Sequence, residues 1–380
     1  MPGDGVKEMR KILKNIRRVV VKIGSSSLTH PETGKINLAA MERFVRECAD
    51  LKNAGFEVII VSSGAIAAGM GRLSLAEKPK NLPEKQACAA VGQGVLMHLY
   101  EKFFAEYQVI AAQVLLTGED LAVKKRFLNA KHTFSALLNY GVVPVVNEND
   151  TVAVEEIRFG DNDTLSARVA VLVEADLLVL LSDIDGLYTE DPRKNSNARL
   201  IPEVLEINEE IEKLAGGSGT AVGTGGMGTK IEAAKIAVNA GIPMVIARSG
   251  YGNLRKILKG EEVGTLFYPK KKKHWKKQWL LSGARVQGSI IVDNGAQEAI
   301  RRGGKSLLPS GVLGVEGEFP AGAIVAVKNL KGRVIAKGLT NYQATDILKV
   351  KGLHSWEIAK VLGHKDYDEI IHRDNLVLVE

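Results

Sequence analysis

The sequence predicts an α/β protein with a mainly parallel sheet between two layers of helices, followed by a small β-rich domain. Within residues 1–270, short apolar strands alternate with helical patterns, as in a parallel sheet that is covered on both faces. The remaining residues contain short alternating segments broken by glycine and proline, for example over 311–337. A length of 380 residues is also enough for more than one domain. We therefore expect a first domain over 1–269, a basic linker over 270–283 and a second domain over 284–380.

The elements of the first domain follow one another as strand, helix and strand. Each predicted strand is an aliphatic or β-branched run, and each predicted helix carries apolar residues at spacings of three and four. The predicted strands are 18–23, 57–61, 109–116, 142–146, 177–181 and 244–247. The predicted helices are 38–54, 84–107, 127–140, 164–174 and 231–240. Because ligands of such sheets bind beyond the carboxyl ends of the strands, we expect the functional residues directly after the strands.

Composition excludes several classes of protein. Hydrophobic residues make up 45% and charged residues 25% of the chain, which is typical of a soluble globular protein rather than a disordered or fibrous one. Cys48 and Cys88 are too few for a disulfide scaffold or a four-cysteine zinc site. The first residues lack the apolar core of a signal peptide, and no apolar run has the length of a membrane helix. We expect a cytoplasmic protein that makes no membrane contact.

The positive charge is concentrated in one short segment. The net charge of +7 arises entirely after residue 270, and five lysines at 271, 272, 273, 276 and 277 supply most of it. Such a run is usually a solvated linker. The interleaved Trp275 and Trp279 keep a second interpretation open, namely a weak and salt-sensitive contact with RNA.

Small polar residues follow the first two predicted strands. Lys22 ends the first strand and precedes a Gly-Ser-Ser-Ser turn, so an ammonium group and backbone N–H groups can meet one anion there. A surface lysine beside a tight turn is the alternative. Ser63 and Gly64 repeat the pattern after the second strand, where small residues let the backbone approach a ligand.

A glycine-rich segment over 216–230 leads into the predicted helix 231–240. Glycine-rich backbone at a helix N-terminus is suited to binding phosphate, and Lys230 adds a positive charge. A flexible surface loop is the other interpretation.

Two clusters of Asn and Asp follow the predicted strand 142–146. One contains Asp150, and the other contains Asn162 and Asp163. These residue types are common in turns, and the spacing of a calcium-binding EF-hand loop is absent. They are equally suited to binding an amino-acid ammonium group or to holding lysines, and Asp163 could also cap the predicted helix 164–174.

Taken together, the motifs resemble the amino acid kinase family, and within it the members that phosphorylate glutamate. The segments that carry the resemblance occur in family order: VVKIGSSSL, VSSGAIAAG, VVPVVNENDTVA, FGDNDTLSA, LLSDIDGLYTEDPR and GTGGMGTKIEAA. The segment IIVDNGAQEAIRRGGKSLLPSGV is similar to a PUA module. The resemblance implies an amino acid kinase fold over 1–269 and a PUA domain with a C-terminal extension over 284–380.

The resemblance also implies an activity, namely ATP- and Mg²⁺-dependent phosphorylation of the γ-carboxylate of L-glutamate at the start of proline biosynthesis. It further implies a homo-oligomer, a dimer or a tetramer. Because the acyl-phosphate product hydrolyses readily, we also expect it to pass quickly to glutamyl-phosphate reductase. Two alternatives remain open at this point. One is an RNA-binding or RNA-modifying PUA protein, and the other is a kinase for another acidic amino acid such as N-acetylglutamate.

Residue by residue, the resemblance assigns three groups of side chains and no metal ligand. Lys22 and Lys230 would bind the ATP phosphates and the transferred phosphoryl group, and Asp163 would hold both lysines. The glutamate-binding residues would be Ser63, Asp150 and Asn162. The ATP-binding residues would be Lys22, Ser182, Asp183, Thr224, Gly225, Gly226, Met227, Gly228, Thr229 and Lys230. Ser182 and Gly228 depart from the threonine and serine that the family pattern favours, and both substitutions keep the site small.

Overall fold

A computed structural model describes residues 10–30, 33–75, 77–153, 162–214, 226–270 and 286–379. The chain divides into two compact units, 1–272 and 273–380. The basic segment 270–283 falls almost entirely outside the described residues. Within the described part, no helix is both long enough and apolar enough to cross a bilayer.

The first unit is built on a mainly parallel sheet of eight strands. Its strands are β1 (Arg18–Ile23), β2 (Glu57–Ser62), β3 (Ala111–Leu116), β4 (Val143–Glu148), β5 (Leu177–Ser182), β6 (Glu203–Val204), β7 (Met244–Arg248) and β8 (Thr265–Phe267). Their order across the sheet is β3-β4-β2-β1-β5-β7-β8-β6. Only the β7–β8 pair is antiparallel among the described strand pairs of this sheet. The carboxyl ends of β4, β2, β1 and β5 therefore lie side by side at one edge.

Ten α-helices of the described chain accompany this sheet. They are α1 (Ser25–Leu28), α2 (Leu38–Asn53), α3 (Ala65–Leu73), α4 (Leu82–Ala105), α5 (Gly118–Ala122), α6 (Lys124–Asn139), α7 (Asn162–Leu172), α8 (Glu209–Leu214), α9 (Met227–Asn239) and α10 (Asn253–Leu258). A 3₁₀-helix, Arg10–Asn15, precedes β1. Helices α2, α4 and α10 share one apolar core with the sheet, and α7 packs against α9.

Strand alternation decides which face Lys22 reaches. Val19, Val21 and Ile23 of β1 belong to the core shared with α2, α4 and α10. Successive side chains of a strand point to opposite faces, so Val20 and Lys22 face the other layer of helices. Lys22 is thereby brought to the N-terminus of α7.

Two glycines let α3 and α4 pack in backbone contact. A Cβ atom added at Gly69 would lie 1.9 Å from the carbonyl oxygen of Cys88, and one added at Gly92 would lie 1.7 Å from that of Ala65. Any side chain at either position would therefore force the helices apart. Gly64, the N-cap of α3, has a φ of +108°, a conformation that favours glycine.

The second unit is a small β-rich domain. Its five-stranded sheet has the order β10-β9-β11-β12-β13, with a core of aliphatic residues. The strands are β9 (Gly288–Val292), β10 (Val312–Glu316), β11 (Ile324–Lys328), β12 (Val334–Leu339) and β13 (Leu376–Leu378), and the helices are α11 (Asn294–Gly303), α12 (Ala344–Val350) and α13 (Ile358–Leu362).

Helix and strand starts differ from the predicted ones near the candidate site. Helix α7 begins at Asn162 and α9 at Met227, so Asn162, Asp163 and Lys230 all lie within helices. Asp163 therefore does not precede α7 as a cap. β3 begins two residues later than predicted because Gln108 has a φ of +55° in the turn that ends α4. Sequence rules place asparagine and glycine before helices, but Asn162 lies in the first turn of α7 and Gly228 in the first turn of α9.

Candidate active site

Asp163 lies between Lys22 and Lys230. Lys22 Nζ is 2.5 Å from Asp163 Oδ1, and Lys230 Nζ is 3.0 Å from Asp163 Oδ2. The three residues come from β1, α7 and α9, so the fold joins positions far apart in the sequence. One carboxylate therefore fixes two ammonium groups at the carboxyl end of the sheet.

Burial sets the electrostatics of this triad. The exposed fractions are 5% for Lys22, 0% for Asp163 and 6% for Lys230. Burial alone would raise the pKa of Asp163, but the two ammonium groups outweigh it and hold this pKa below its usual value. Asp163 thus stays ionised, and two ammonium groups with one carboxylate leave the site with an excess positive charge suited to an anion.

The N-terminus of α9 borders the triad. Thr229 Oγ1 lies 3.0 Å from Asp163 Oδ2 and 2.8 Å from the carbonyl oxygen of Gly226. Met227 and Gly228 complete the first turn, and the N-terminal end of a helix favours negative charge. Thr224 and Gly225 lie outside the described residues.

Ser182 and Asp183 lie at the carboxyl end of β5, next to β1 in the sheet. Ser182 Oγ donates a hydrogen bond to Asp183 Oδ1 at 3.1 Å, and the Asp183 side chain belongs to an exposed residue. Two residues on, Asp185 accepts a two-pronged pair of hydrogen bonds from Arg248 at 2.7 and 3.0 Å. This ion pair joins the loop to the end of β7, and hydrogen bonding to Arg248 also lowers the pKa of Asp185.

A second cluster, formed by neutral side chains, lies beside the triad. Asn162 Nδ2 donates hydrogen bonds to Ser63 Oγ at 2.8 Å, to the Ser62 carbonyl at 3.2 Å and to Asn147 Oδ1 at 3.0 Å. Ser62 and Asn147 are buried at the ends of neighbouring strands β2 and β4. Asp150 lies in the turn that follows β4. The structure thus brings Ser63 and Asn162 together. Asn162 directly precedes Asp163 of the charged triad in α7.

Sequence analysis missed the residues that support this cluster. Asn147 Nδ2 donates to Gln93 Oε1 at 2.9 Å, and Tyr100 donates to Ser62 Oγ at 2.8 Å. Burial raises the pKa of Tyr100, so its hydroxyl group remains a donor. Gln93 and Tyr100 are two helical turns apart on α4, where the apolar pattern indicates only a core face. Asn147 is the first residue of the Asn/Asp cluster that contains Asp150, so the sequence does carry a signal for it.

Family models match both units. A model described as the amino acid kinase family matches residues 17–248, and a PUA domain model matches residues 288–362. These matches cover the segments that carry the charged triad, the neutral cluster and four of the five strands of the second sheet, β9 to β12.

Similar proteins extend over nearly the whole chain. Glutamate 5-kinase of Carboxydothermus hydrogenoformans is 92% identical over 372 residues, which are 98% of this chain and 100% of that protein. Glutamate 5-kinase of Moorella thermoacetica is 57% identical over 376 residues, 98% and 99% of the two chains. A solved structure of carbamate kinase from Giardia lamblia bound to AMP-PNP covers 68% of this chain and 100% of its own. Its TM-score of 0.50 at 17% identity reflects a shared fold.

Proposed function

The chain belongs to the amino acid kinase family, and we infer that it catalyses ATP-dependent phosphorylation of the γ-carboxylate of L-glutamate. The product is L-glutamyl 5-phosphate, and the reaction is the first step of proline biosynthesis. The observation that carries this inference is the near-identity, over the full length, to a protein named glutamate 5-kinase. The alternative of an RNA-modifying protein would assign no function to the first unit.

The chemistry of the reaction matches the kind of site found here. A carboxylate is already an anionic nucleophile, so the transfer needs no general base. The site must instead align two anions and stabilise the charge that spreads over the transferred phosphoryl group. Fixed ammonium groups in a buried site meet that need without reorganising during the reaction.

We propose that Lys22 and Lys230 act on the phosphoryl group while Asp163 positions them. The support is their placement, with both Nζ atoms within 3.0 Å of one buried carboxylate. Asp163 would not touch the substrate, because both of its oxygens face ammonium groups. Its charge lowers the cost of burying two lysines side by side.

We propose that Ser63, Asp150 and Asn162 bind glutamate. The distances from Asn162 support a common site for Asn162 and Ser63. A carboxylate at Asp150 suits a free α-ammonium group, whereas the acylated nitrogen of N-acetylglutamate carries no charge to pair with it. This difference favours glutamate over its N-acylated relative.

We propose that ATP binds along Ser182, Asp183 and the segment 224–230, and that Mg²⁺ enters with it. Within the described residues, no three His, Cys, Asp or Glu side chains group into a metal site. Asp163 already holds two ammonium groups. The side chains of Ser182, Asp183 and the segment 224–230 therefore fit a Mg²⁺ ion that enters as part of the MgATP substrate. Such an ion is bound mainly by phosphate oxygens and water.

The remaining partners are also proposals. We propose a cytoplasmic homo-oligomer, a dimer or a tetramer, that passes its acyl phosphate directly to glutamyl-phosphate reductase, because acyl phosphates hydrolyse readily. We further propose that any RNA contact is weak and depends on the lysines of 271–277, which lie outside the described residues.

Hydroxylamine trapping tests the activity directly. With ATP and glutamate, the wild-type chain should form the hydroxamate of glutamate, and added RNA should leave its rate unchanged. N-acetylglutamate in place of glutamate should give little product. Faster reaction with N-acetylglutamate would replace the proposed substrate, and absence of ATP-dependent product with either acid would refute the kinase activity.

A further inference from the structure

Helix α4 supplies a side chain that fixes the orientation of two amide groups in the neutral cluster. Gln93 Oε1 accepts from Asn147 Nδ2 at 2.9 Å, and Asn147 Oδ1 accepts from the backbone N–H of Glu148 at 2.9 Å. Asn147 is only 3% exposed, so its amide has no water to compensate for a reversed orientation. The nitrogen of Asn147 therefore faces α4, and its oxygen faces Asn162.

This orientation is passed on to Asn162. All three hydrogen-bond contacts of Asn162 Nδ2 are to oxygen atoms: Asn147 Oδ1, Ser63 Oγ and the Ser62 carbonyl. Rotating the amide by half a turn would place Oδ1 against the Ser62 carbonyl, which cannot donate. Among the described residues, Asn162 Oδ1 receives no hydrogen bond, and so it is left to accept one from a ligand.

The same bonds decide what Ser63 offers. Its Oγ atom accepts from Asn162 at 2.8 Å, and no described residue accepts the Ser63 hydroxyl proton. The neutral cluster thus presents one acceptor, Asn162 Oδ1, and one donor, the Ser63 hydroxyl. An α-ammonium group and a carboxylate oxygen are the complementary partners.

We propose that Gln93 is a positioning residue for glutamate, acting through Asn147 to keep Asn162 Oδ1 turned towards the substrate's α-ammonium group. The proposal rests on the proposed glutamate site. The backbone contact of α3 and α4 at Gly69 and Gly92 explains how a helix residue reaches the strand ends, since Gln93 directly follows Gly92. No contact of Gln93 with substrate is required.

Two substitutions separate this role from simple packing. Gln93→Met keeps the size of the side chain but removes the oxygen that accepts the hydrogen bond from Asn147. Gln93→Glu keeps an accepting oxygen and loses the amide donor, so its carboxylate can only accept. A packing role would tolerate Met at least as well as Glu. The orienting role predicts the reverse order, with Glu retaining glutamate binding and Met losing it.

The experiment compares glutamate with glutarate, which lacks the amino group, for the wild type, both Gln93 variants and the control Gln113→Met at an exposed position of β3. Measured quantities are the KM for glutamate, the KM for ATP, the Ki of glutarate as a competitive inhibitor, and Tm. In Gln93→Met, we expect the KM for glutamate to rise by about five- to tenfold, the factor carried by one net hydrogen bond, and the glutarate Ki to rise less. Gln93→Glu and Gln113→Met should leave the ratio of the two constants as in the wild type.

Equal losses for glutamate and glutarate in Gln93→Met, or a larger loss in Gln93→Glu, would overturn the proposal, because the effect would then be one of packing. An unchanged KM in a folded Gln93→Met variant would overturn it as well. A wild-type chain that phosphorylates no glutamate would refute the proposed function itself. The measurement of the wild-type KM for glutamate detects that outcome before any variant is compared.

Discussion

Adjacent residues of one helix serve two clusters with opposite physical character. Asp163 belongs to a triad of buried charges, in which each ion is held by another. Asn162 belongs to a cluster of amides and hydroxyl groups without formal charge, in which the hydrogen bonds fix which atom donates and which accepts. A transferred phosphoryl group is stabilised by positive charge. An amino acid carries both an ammonium group and carboxylates, so its recognition requires hydrogen-bond acceptors and donors at defined positions. The first turn of α7 therefore joins the means of transfer to the means of recognition.

The largest effect should come from removing charge. In Lys22→Ala or Lys230→Ala, we expect kcat to fall by about 10²–10³, because a preorganised charge on the transferred group is lost. Lys235→Ala, on the same helix as Lys230 but in surface ion pairs with Glu212 and Glu232, is the control and should keep its rate. Steady-state kinetics with saturating ATP measures the change. Wild-type turnover in either variant would remove that lysine from the transfer.

Asp163→Asn should reduce stability as well as turnover. It leaves two buried ammonium groups without their carboxylate, which costs about 3–5 kcal/mol for a broken buried pair. Urea unfolding of the two proteins measures the difference.

The pH dependence of that difference has a definite sign. Because the pKa of Asp163 is lowered in the folded chain, its contribution should be complete above the unfolded carboxyl value of about 3.9 and disappear as the pH falls through the lower folded value. A difference that shrinks already between about pH 8 and pH 6 would contradict this assignment.

In Asp150→Asn, we expect weaker glutamate binding with a smaller change in kcat. Truncating one member of a desolvated charge pair costs about 2–5 kcal/mol. Asp50→Asn on α2, which removes a surface ion pair with Arg255 of α10, is the matched control. An unchanged KM for glutamate would place Asp150 outside the pocket.

The smallest effect should follow from removing the second unit. Both clusters belong to the first unit, so a chain ending at residue 280 should keep glutamate kinase activity. The truncated protein is compared with the full chain at saturating substrates, after circular dichroism has established that it is folded. A folded but inactive truncated chain would show that the second unit takes part in catalysis.

Sequence reasoning reached the two clusters to different extents. Lys22 lies at the end of an apolar strand, and Ser63 and Asp150 follow two others. The rule for ligands of parallel sheets therefore places all three at one edge without a structure. The triad itself joins residues from three elements, and only the family resemblance suggested which partners meet.

The supporting residues of the neutral cluster could not be predicted because they depend on packing distance. Gln93 reaches Asn147 because two glycines allow α3 and α4 to touch, and helical periodicity carries no signal for this contact. The starts of α7 and α9 were also missed, since asparagine and glycine usually precede helices rather than begin them.

Calorimetric titration of glutamate into ATP-free protein tests the division between transfer and recognition most directly. The compared proteins are the wild type, Lys230→Ala and Asn162→Ala. If the two clusters act as described, Lys230→Ala binds glutamate within about twofold of the wild type, and Asn162→Ala binds it at least about tenfold more weakly, the loss expected from one or more hydrogen bonds. Equal weakening in both variants would contradict this division of roles, because the lysine would then bind the amino acid rather than act on the phosphoryl group.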